Sequence, residues 1–276
     1  MGFVPSLSVC FQILDGFVLH FSFVGSAFSL AGRLAVVTGG AKGIGAGIVD
    51  VLAEAGATVV IADCDRDSAE AHAAALAEAG HHAVAVTVDL ADEASIIAAS
   101  DKIAEDFGAP WLLVNNAALQ DREFLLEASA SHWDKIHAVN ARGAFLMTRE
   151  IAKAMVAAGR GGRIVNIASN AVRGGLIKGL AAYTSSKGAV LALSRVSAFE
   201  LAEHQITVNT VLPGAVITPG AVSAKGPLSA GPATRQTPFG FQEPREIGAA
   251  VLFFASDAAR PITNQVLAVD GGFSIT

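Results

Sequence analysis

From Leu34 onward the chain repeats one alternation: a short run that is apolar almost throughout, a turn of small residues, then a stretch with helical periodicity. The apolar runs are LAVVT (34–38), TVVIAD (58–63), AVAVTV (83–88), WLLVNN (111–116), GRIVNIAS (162–169), ITVNTVL (206–212) and QVLAVDGG (265–272). Between them lie GIVDVLAEAG, SAEAHAAALAEAG, Glu93–Phe107, a long stretch from about Ser131 to Ala158, YTSSKGAVLALSRVSAFELAEH and PREIGAAVLFFAS. A strand with one wet face alternates apolar and polar residues, whereas a strand apolar on both faces is covered on both. Runs of the second kind separated by helices predict an α/β fold, a doubly wound Rossmann-type domain on a mostly parallel seven-stranded sheet.

No linker or internal repeat divides this pattern, so residues 28–276 are expected to form one domain. One irregular stretch interrupts it, residues 218–244, rich in Pro, Gly, Ser and Ala. A loop of that length in a compact domain is commonly a lid, and a substrate lid with a short helix inside is the expectation. Residues 1–27 stand apart: they are rich in Phe and contain no Lys or Arg. A secretory signal needs a positive start, and a spanning helix needs about 20 apolar residues without Asp15, Gly16 and His20 in the way. An extension, or an arm packed on a neighbouring surface, is expected there instead of a membrane anchor.

Composition then excludes partners. Hydrophobic residues make up 52% and charged residues 16%, which suits a large core. The net charge of −6 argues against nucleic acid, which demands a basic face. Cys10 and Cys64 are the only cysteines, so no disulfide framework exists and a reducing, cytoplasmic setting is expected. No HExxH or CxxC pattern occurs, and the adjacent His81 and His82 are not read as a metal site.

Two motifs carry chemistry. TGGAKGIG (38–45) sits between the first strand and the first helix, where glycines let the backbone approach a pyrophosphate and the helix N-terminus offers free N–H groups. The second is Tyr183 and Lys187, four residues apart on one helix face. A free tyrosine has a pKa near 10, and lowering it by about three units takes roughly 4 kcal/mol. An ammonium at about 4 Å supplies about that much at an effective dielectric of 20. The pair then makes a general base for an alcohol or a general acid for a ketone. Alone, a helix tyrosine with a solvated lysine explains the pair better.

In order, TGGAKGIG, NNAA (115–118), Asn140 in AVNARGAF, Ser169 in NIAS, Tyr183-x-x-x-Lys187, VLPGAVITP (211–219) and VDGG (269–272) resemble the short-chain dehydrogenase/reductase family from about Phe28 to the C-terminus. The resemblance implies a hydride transfer between a nicotinamide cofactor and a secondary alcohol or ketone. It implies that Ser169 steadies the substrate oxygen, that Lys187 holds the nicotinamide ribose and tunes Tyr183, and that Asn140 anchors a water on a proton path. It places Gly39, Gly43, Ile44 and Gly45 along the pyrophosphate, and Asp89 and Leu90 at the adenine. Asn116 and Ala117 fall at the adenosine ribose, and Pro213, Gly214, Val216 and Thr218 at the carboxamide. A homotetramer or homodimer is implied, because helices around Asn140 and Tyr183 pack between subunits in the family.

Cofactor choice has two opposed signals. Lys42 stands where NADP-using relatives often carry a basic residue, whereas Asp63 ends the second strand, eighteen residues after Gly45, where an acid can accept both ribose hydroxyls. Asp65 and Asp67 deepen repulsion of a 2′-phosphate, so NAD is expected. The lid's small, apolar composition points to a neutral, hydrophobic substrate, although Arg173 and Lys178 near Ser169 oppose this. The alternatives are an NADPH-linked reductase of 3-oxoacyl thioesters and a non-catalytic NAD-binding sensor.

Three departures from the family's pattern stand out. Ala118 replaces the usual glycine of NNAG, and Asn264 stands where the family often has glycine. Ser169 precedes Tyr183 by fourteen residues where thirteen is commoner. Counting thirteen lands on Asn170; the extra residue is expected in the loop 171–180, leaving Ser169 in the active position.

Overall fold

The computed structural model of the chain describes residues 27–174, 177–227 and 237–276. Residues 1–26 of the apolar extension, Cys10 among them, lie outside the described residues. So do lid residues 228–236 with Arg235.

Seven strands form one sheet: β1 (Leu34–Thr38), β2 (Thr58–Asp63), β3 (Ala83–Thr87), β4 (Leu112–Asn115), β5 (Gly162–Ile167), β6 (Ile206–Pro213) and β7 (Val266–Val269). Their order is β3-β2-β1-β4-β5-β6-β7, and every neighbouring pair is parallel. The chain winds outward from β1 to one edge, returns beside β1 as β4, and winds to the other edge. That reversal opens a crevice beyond the carboxyl ends of β1 and β4, where open α/β sheets bind ligands.

The helices are α1 (Gly43–Glu54), α2 (Arg66–Glu78), α3 (Glu93–Phe107), α4 (Ala130–His137), α5 (Ala144–Ala158), α6 (Ala181–Glu200), α7 (Pro219–Ser223) and α8 (Pro244–Ala255). Alternate strand residues feed two cores, as the two-residue period of a strand requires. Val37, Ile61 and Val114 face Ile48, Leu52, Val251 and Phe254 of α1 and α8. Val36, Val60 and Leu113 face Ile96, Ile103, Met147 and Ile151 of α3 and α5. Local signals set the helix starts: Asp65, Asp92 and Ser129 cap α2, α3 and α4 through their side chains, and Glu243 and Glu246 form a capping box around Pro244. One short helix, α7, lies in the irregular stretch 218–244.

The long helix expected from Ser131 to Ala158 is instead α4 and α5 joined by a π-helical segment, Ala138–Gly143. The wider turn carries Asn140 to the interior, where it is 1% exposed. Periodicity alone cannot separate a π turn from an α turn, since one inserted residue only shifts the apolar stripe.

Candidate active site

A cleft of about 1470 Å³ opens at the carboxyl ends of β1 and β4. Every residue expected at the site lines it except Asn140: Gly39, Lys42, Gly43, Ile44, Gly45, Asp63, Asp89, Leu90, Asn116, Ala117, Ser169, Tyr183, Lys187, Pro213, Gly214, Val216 and Thr218.

One end is a glycine cradle. A Cβ on Gly45 would fall 1.9 Å from the Gly39 carbonyl oxygen and 2.6 Å from Asn116 Nδ2. A Cβ on Gly39 would fall 2.8 Å from Ala117 Cα, and Gly39 and Gly43 both hold positive φ, 63° and 57°. The loop is braced from β4: Asn116 Nδ2 donates to the carbonyls of Thr38 (2.9 Å) and Gly39 (3.0 Å), while the Thr38 hydroxyl accepts from the backbone of Asn116 and Ala117. Lys42, the residue before α1, makes no side-chain cap to the helix start. Small residues, a close backbone and a bare helix N-terminus fit a dinucleotide's pyrophosphate.

At the second strand's end the Asp63 carboxylate is fixed. One oxygen accepts from Ala41 N (3.0 Å) and the other from Asp65 N (3.0 Å). Lys42, although its side chain is exposed, pairs with Asp65 at 2.6 Å. That hydrogen bond holds the Asp65 carboxyl down at about 2 and raises the ammonium.

At the other end stand Ser169, Tyr183 and Lys187. Ser169 follows β5, and its hydroxyl accepts from Ala171 N (3.1 Å) while hydrogen-bonding the Tyr183 phenol. Asn170 turns away: its Nδ2 donates to Asp270 Oδ2 at 3.1 Å in the interior. Ser169, not Asn170, therefore meets the tyrosine. The Lys187 ammonium is buried, donates to the Ile167 carbonyl at 2.7 Å, and lies 6.0 Å from the Tyr183 ring centroid. Burial pulls Lys187 down to about 8. Burial likewise pushes the Tyr183 phenol up, and the Ser169 hydrogen bond only partly opposes this. The expected lowering of the tyrosine by an ammonium at about 4 Å is thus not what the side chains make: Lys187 bonds the end of β5, and the phenol is held protonated.

Asn140 lies behind the cleft wall. Its Oδ1 accepts from Leu119 N (2.8 Å), and its Nδ2 donates to Leu119 O (2.9 Å) and to Ser186 Oγ (3.0 Å). Its side chain ties the loop after β4 to α6, so it positions the site instead of offering an amide to water.

The departures have local explanations. Ala118 is exposed on the cleft wall with room for its methyl. Asn264 has φ 57°, a left-handed conformation that asparagine tolerates better than most residues. Sequence reasoning missed a buried relay beneath the cleft. Asn115 Nδ2 donates to Thr148 Oγ1 (2.9 Å) and to Asn166 Oδ1 (2.8 Å), and Asn166 Nδ2 donates to Ser194 Oγ (2.8 Å). Two asparagines inside otherwise apolar strands were its signal. It also missed Arg122, a buried cation in the cleft wall.

Among the described residues no group of three or more His, Cys, Asp or Glu side chains gathers as a metal site. None of their helices is long and apolar enough to cross a membrane.

Comparison with known proteins agrees with this architecture. Residues 39–274 match a family model described as enoyl-(acyl carrier protein) reductase. D-threitol dehydrogenase of Mycolicibacterium smegmatis is 41% identical over 250 residues, covering 90% of this chain and 95% of the relative. Cis-4-hydroxycyclohexanecarboxylate dehydrogenase of Sinomonas cyclohexanicum is 38% identical, covering 91% and 99%. Among solved structures, gluconate 5-dehydrogenase of Burkholderia cenocepacia in complex with NADP and tartrate superposes with a TM-score of 0.83 at 31% identity, covering 92% and 99%. A 3-ketoacyl-(acyl-carrier-protein) reductase of Brucella melitensis complexed with NADH gives 0.80 at 33% identity, covering 89% and 100%.

Proposed function

The chain belongs to the short-chain dehydrogenase/reductase family and is an oxidoreductase of secondary alcohols and ketones, and within that activity we propose NAD as its hydride acceptor and Ser169, Tyr183 and Lys187 as the residues that carry the reaction. The observation that carries this reading is the cleft itself, which joins the glycine cradle at one end to the Ser169–Tyr183 hydrogen bond at the other.

The nicotinamide ring, when bound, supplies the carbon that takes or gives the hydride. The chain's own groups handle the proton. Ser169 donates to the substrate oxygen and fixes it against the Tyr183 phenol. In the oxidation direction the phenolate takes the hydroxyl proton; in reduction the phenol returns it to the carbonyl oxygen. Lys187, held by the Ile167 carbonyl at the end of β5, would brace the nicotinamide ribose beside Tyr183. Asn140 holds Leu119 and Ser186 so that α6 presents Tyr183 at a constant depth.

The preference for NAD rests on charge. A 2′-phosphate beside Asp63 would meet a fixed carboxylate, and the nearest ammonium, Lys42, is engaged with Asp65. The remaining lone pairs of Asp63 suit two ribose hydroxyls. Measuring kcat/KM with both cofactors over a panel of secondary alcohols and ketones tests this. NAD is expected to win at least tenfold, and a clear NADP preference sinks the assignment of Asp63. A second reading, a 3-oxoacyl thioester reductase, is supported by the likeness to the 3-ketoacyl-(acyl-carrier-protein) reductase of Brucella melitensis. Faster turnover of a 3-oxoacyl thioester than of any free ketone in the same panel would select it, and any turnover removes a non-catalytic sensor.

The cysteine-poor composition supports a cytoplasmic location, which fractionation checks. Assembly as a homotetramer or homodimer is also proposed, on apolar residues exposed on α5 and α6.

A further inference from the structure

Arg122 is the one buried cation in the cleft wall whose guanidinium has no hydrogen bond or ion pair among the described residues. It is 7% exposed, and its Nε is a buried donor without an acceptor. A buried guanidinium nitrogen left without an acceptor is costly, so such a group points to a partner that arrives from outside. Lys187 is no parallel, because its ammonium has the Ile167 carbonyl.

The placement is built. The backbone of Arg122 donates to Lys225 O at 2.7 Å, and that of Glu123 donates to Gly179 O at 3.2 Å, which stitches the segment between the lid and the loop before α6. Gly226 and Gly179 press against it: a Cβ on Gly226 would fall 1.9 Å from Arg122 O, and one on Gly179 3.2 Å from Arg122 Cβ. The carboxylates nearby are engaged elsewhere. Asp121 bonds Lys135 and the Lys225 backbone, and Glu123 bonds Ser129 and faces His132. Arg122 forms part of the wall of the catalytic cleft, together with Leu180 and Ile177, and also of a neighbouring cavity of about 680 Å³.

We infer that Arg122 receives a carboxylate of the substrate, so that the secondary alcohol oxidised here is a small hydroxy acid, with the ketone a keto acid. This rests on the alcohol–ketone activity proposed above and names its substrate class. A planar guanidinium offers paired N–H groups that match the two oxygens of a carboxylate. Asp121 and Glu123 on either side hold the local charge balance near neutral, which suits a single negative charge and disfavours a dianionic phosphate ester. Arg122 is a specificity residue here, and the proton chemistry stays with Tyr183.

The test uses the full chain and matched substrate pairs: 4-hydroxycyclohexanecarboxylate against its neutral 4-hydroxymethyl counterpart, and an aldonate against the corresponding polyol. The ratio of kcat/KM, carboxylate over neutral, is the readout. The unmodified enzyme is expected to favour the carboxylate about tenfold or more, Arg122→Gln to lose about tenfold to a hundredfold of that ratio, and Arg122→Lys to keep part of it. Cyclohexanecarboxylate, which has no hydroxyl to oxidise, should compete with the alcohol and bind the Gln variant more weakly by calorimetry. An unchanged ratio in Arg122→Gln, inhibition that is not competitive, or a preference of the unmodified enzyme for the neutral partner overturns the inference while leaving the alcohol–ketone activity standing. Absence of any alcohol or ketone turnover, with carboxylate binding that still depends on Arg122, instead overturns the activity and keeps the anion site. Thermal melting of each variant controls for folding, and the preference of the unmodified enzyme decides the matter even if Arg122→Gln does not fold.

Discussion

Tyr183 and Lys187 sit one turn apart on α6, and the solvent they lose shifts them in opposite directions. Burial raises the phenol, which stays protonated at neutral pH, and pulls the ammonium down to about 8. Removing the phenolic oxygen takes away the transferable proton but keeps the ring. Tyr183→Phe is therefore expected to lower turnover by about 10²–10⁴-fold while cofactor binding, followed by fluorescence titration, persists. Near-normal turnover would show that another group moves the proton. Lys187 gives a stability prediction with a definite sign. Its folded value of about 8 lies below the 10.5 of an unperturbed lysine, so between those pH values the unfolded chain binds more protons. The penalty for holding the charge inside is full below pH 8 and disappears as pH rises to 10.5. The stability difference between the unmodified protein and Lys187→Met should thus move in favour of lysine across that window, by at most about 1.4 kcal/mol per pH unit. A flat difference in urea melts would mean that the ammonium is better solvated than its burial suggests.

At the scale of elements, β1, the glycine loop and α1 act as one unit, because the loop has no room for side chains. The Cβ of an alanine at position 45 would overlap the Gly39 carbonyl oxygen at 1.9 Å, so the loop must open to admit it. Gly45→Ala is expected to weaken cofactor binding at least tenfold and to cost about 1–3 kcal/mol in stability. Gly188→Ala is the control: it lies within α6 with nothing within 4 Å of its would-be Cβ, and loses neither. Equal cofactor affinities in the two variants would remove the cradle's role. The π segment shows a second kind of coupling between elements. By widening one turn it sends the Asn140 side chain to Leu119 and Ser186, so a helix on one side of the sheet sets the position of the loop after β4.

For the whole molecule, two cores on the faces of one parallel sheet leave the outer sides of the helices to solvent. Those sides are not uniformly polar. Phe145 on α5 and Val196 and Phe199 on α6 are 45%, 55% and 85% exposed. Apolar side chains that open to water usually mark an interface. Sedimentation is expected to give a dimer or tetramer, and Phe199→Glu to shift it toward smaller species with the fold intact. A monomer at micromolar concentration would show that this surface serves another purpose.

Much of this was legible in the sequence for a physical reason. Strand and helix identities follow from periodicity, which is local, and the seven strands run where continuous apolar runs occur. The glycine cradle and the order Ser169, Tyr183, Lys187 could be read because each is a short pattern tied to one turn or one helix face. What needed the tertiary structure were the properties that depend on distant neighbours. The partner of Lys187 is a carbonyl twenty residues away in sequence, at the end of β5. The choice between Ser169 and Asn170 is made by Asp270, a hundred residues away, which takes the amide into the interior. The isolation of Arg122 is the clearest case. It stands in a stretch with Asp121 and Glu123, and as a sequence it looks paired. Only packing shows that Lys135, Ser129 and the lid backbone have taken both carboxylates and left the guanidinium to the cleft, because burial and pairing are properties of the folded surroundings and not of the residue.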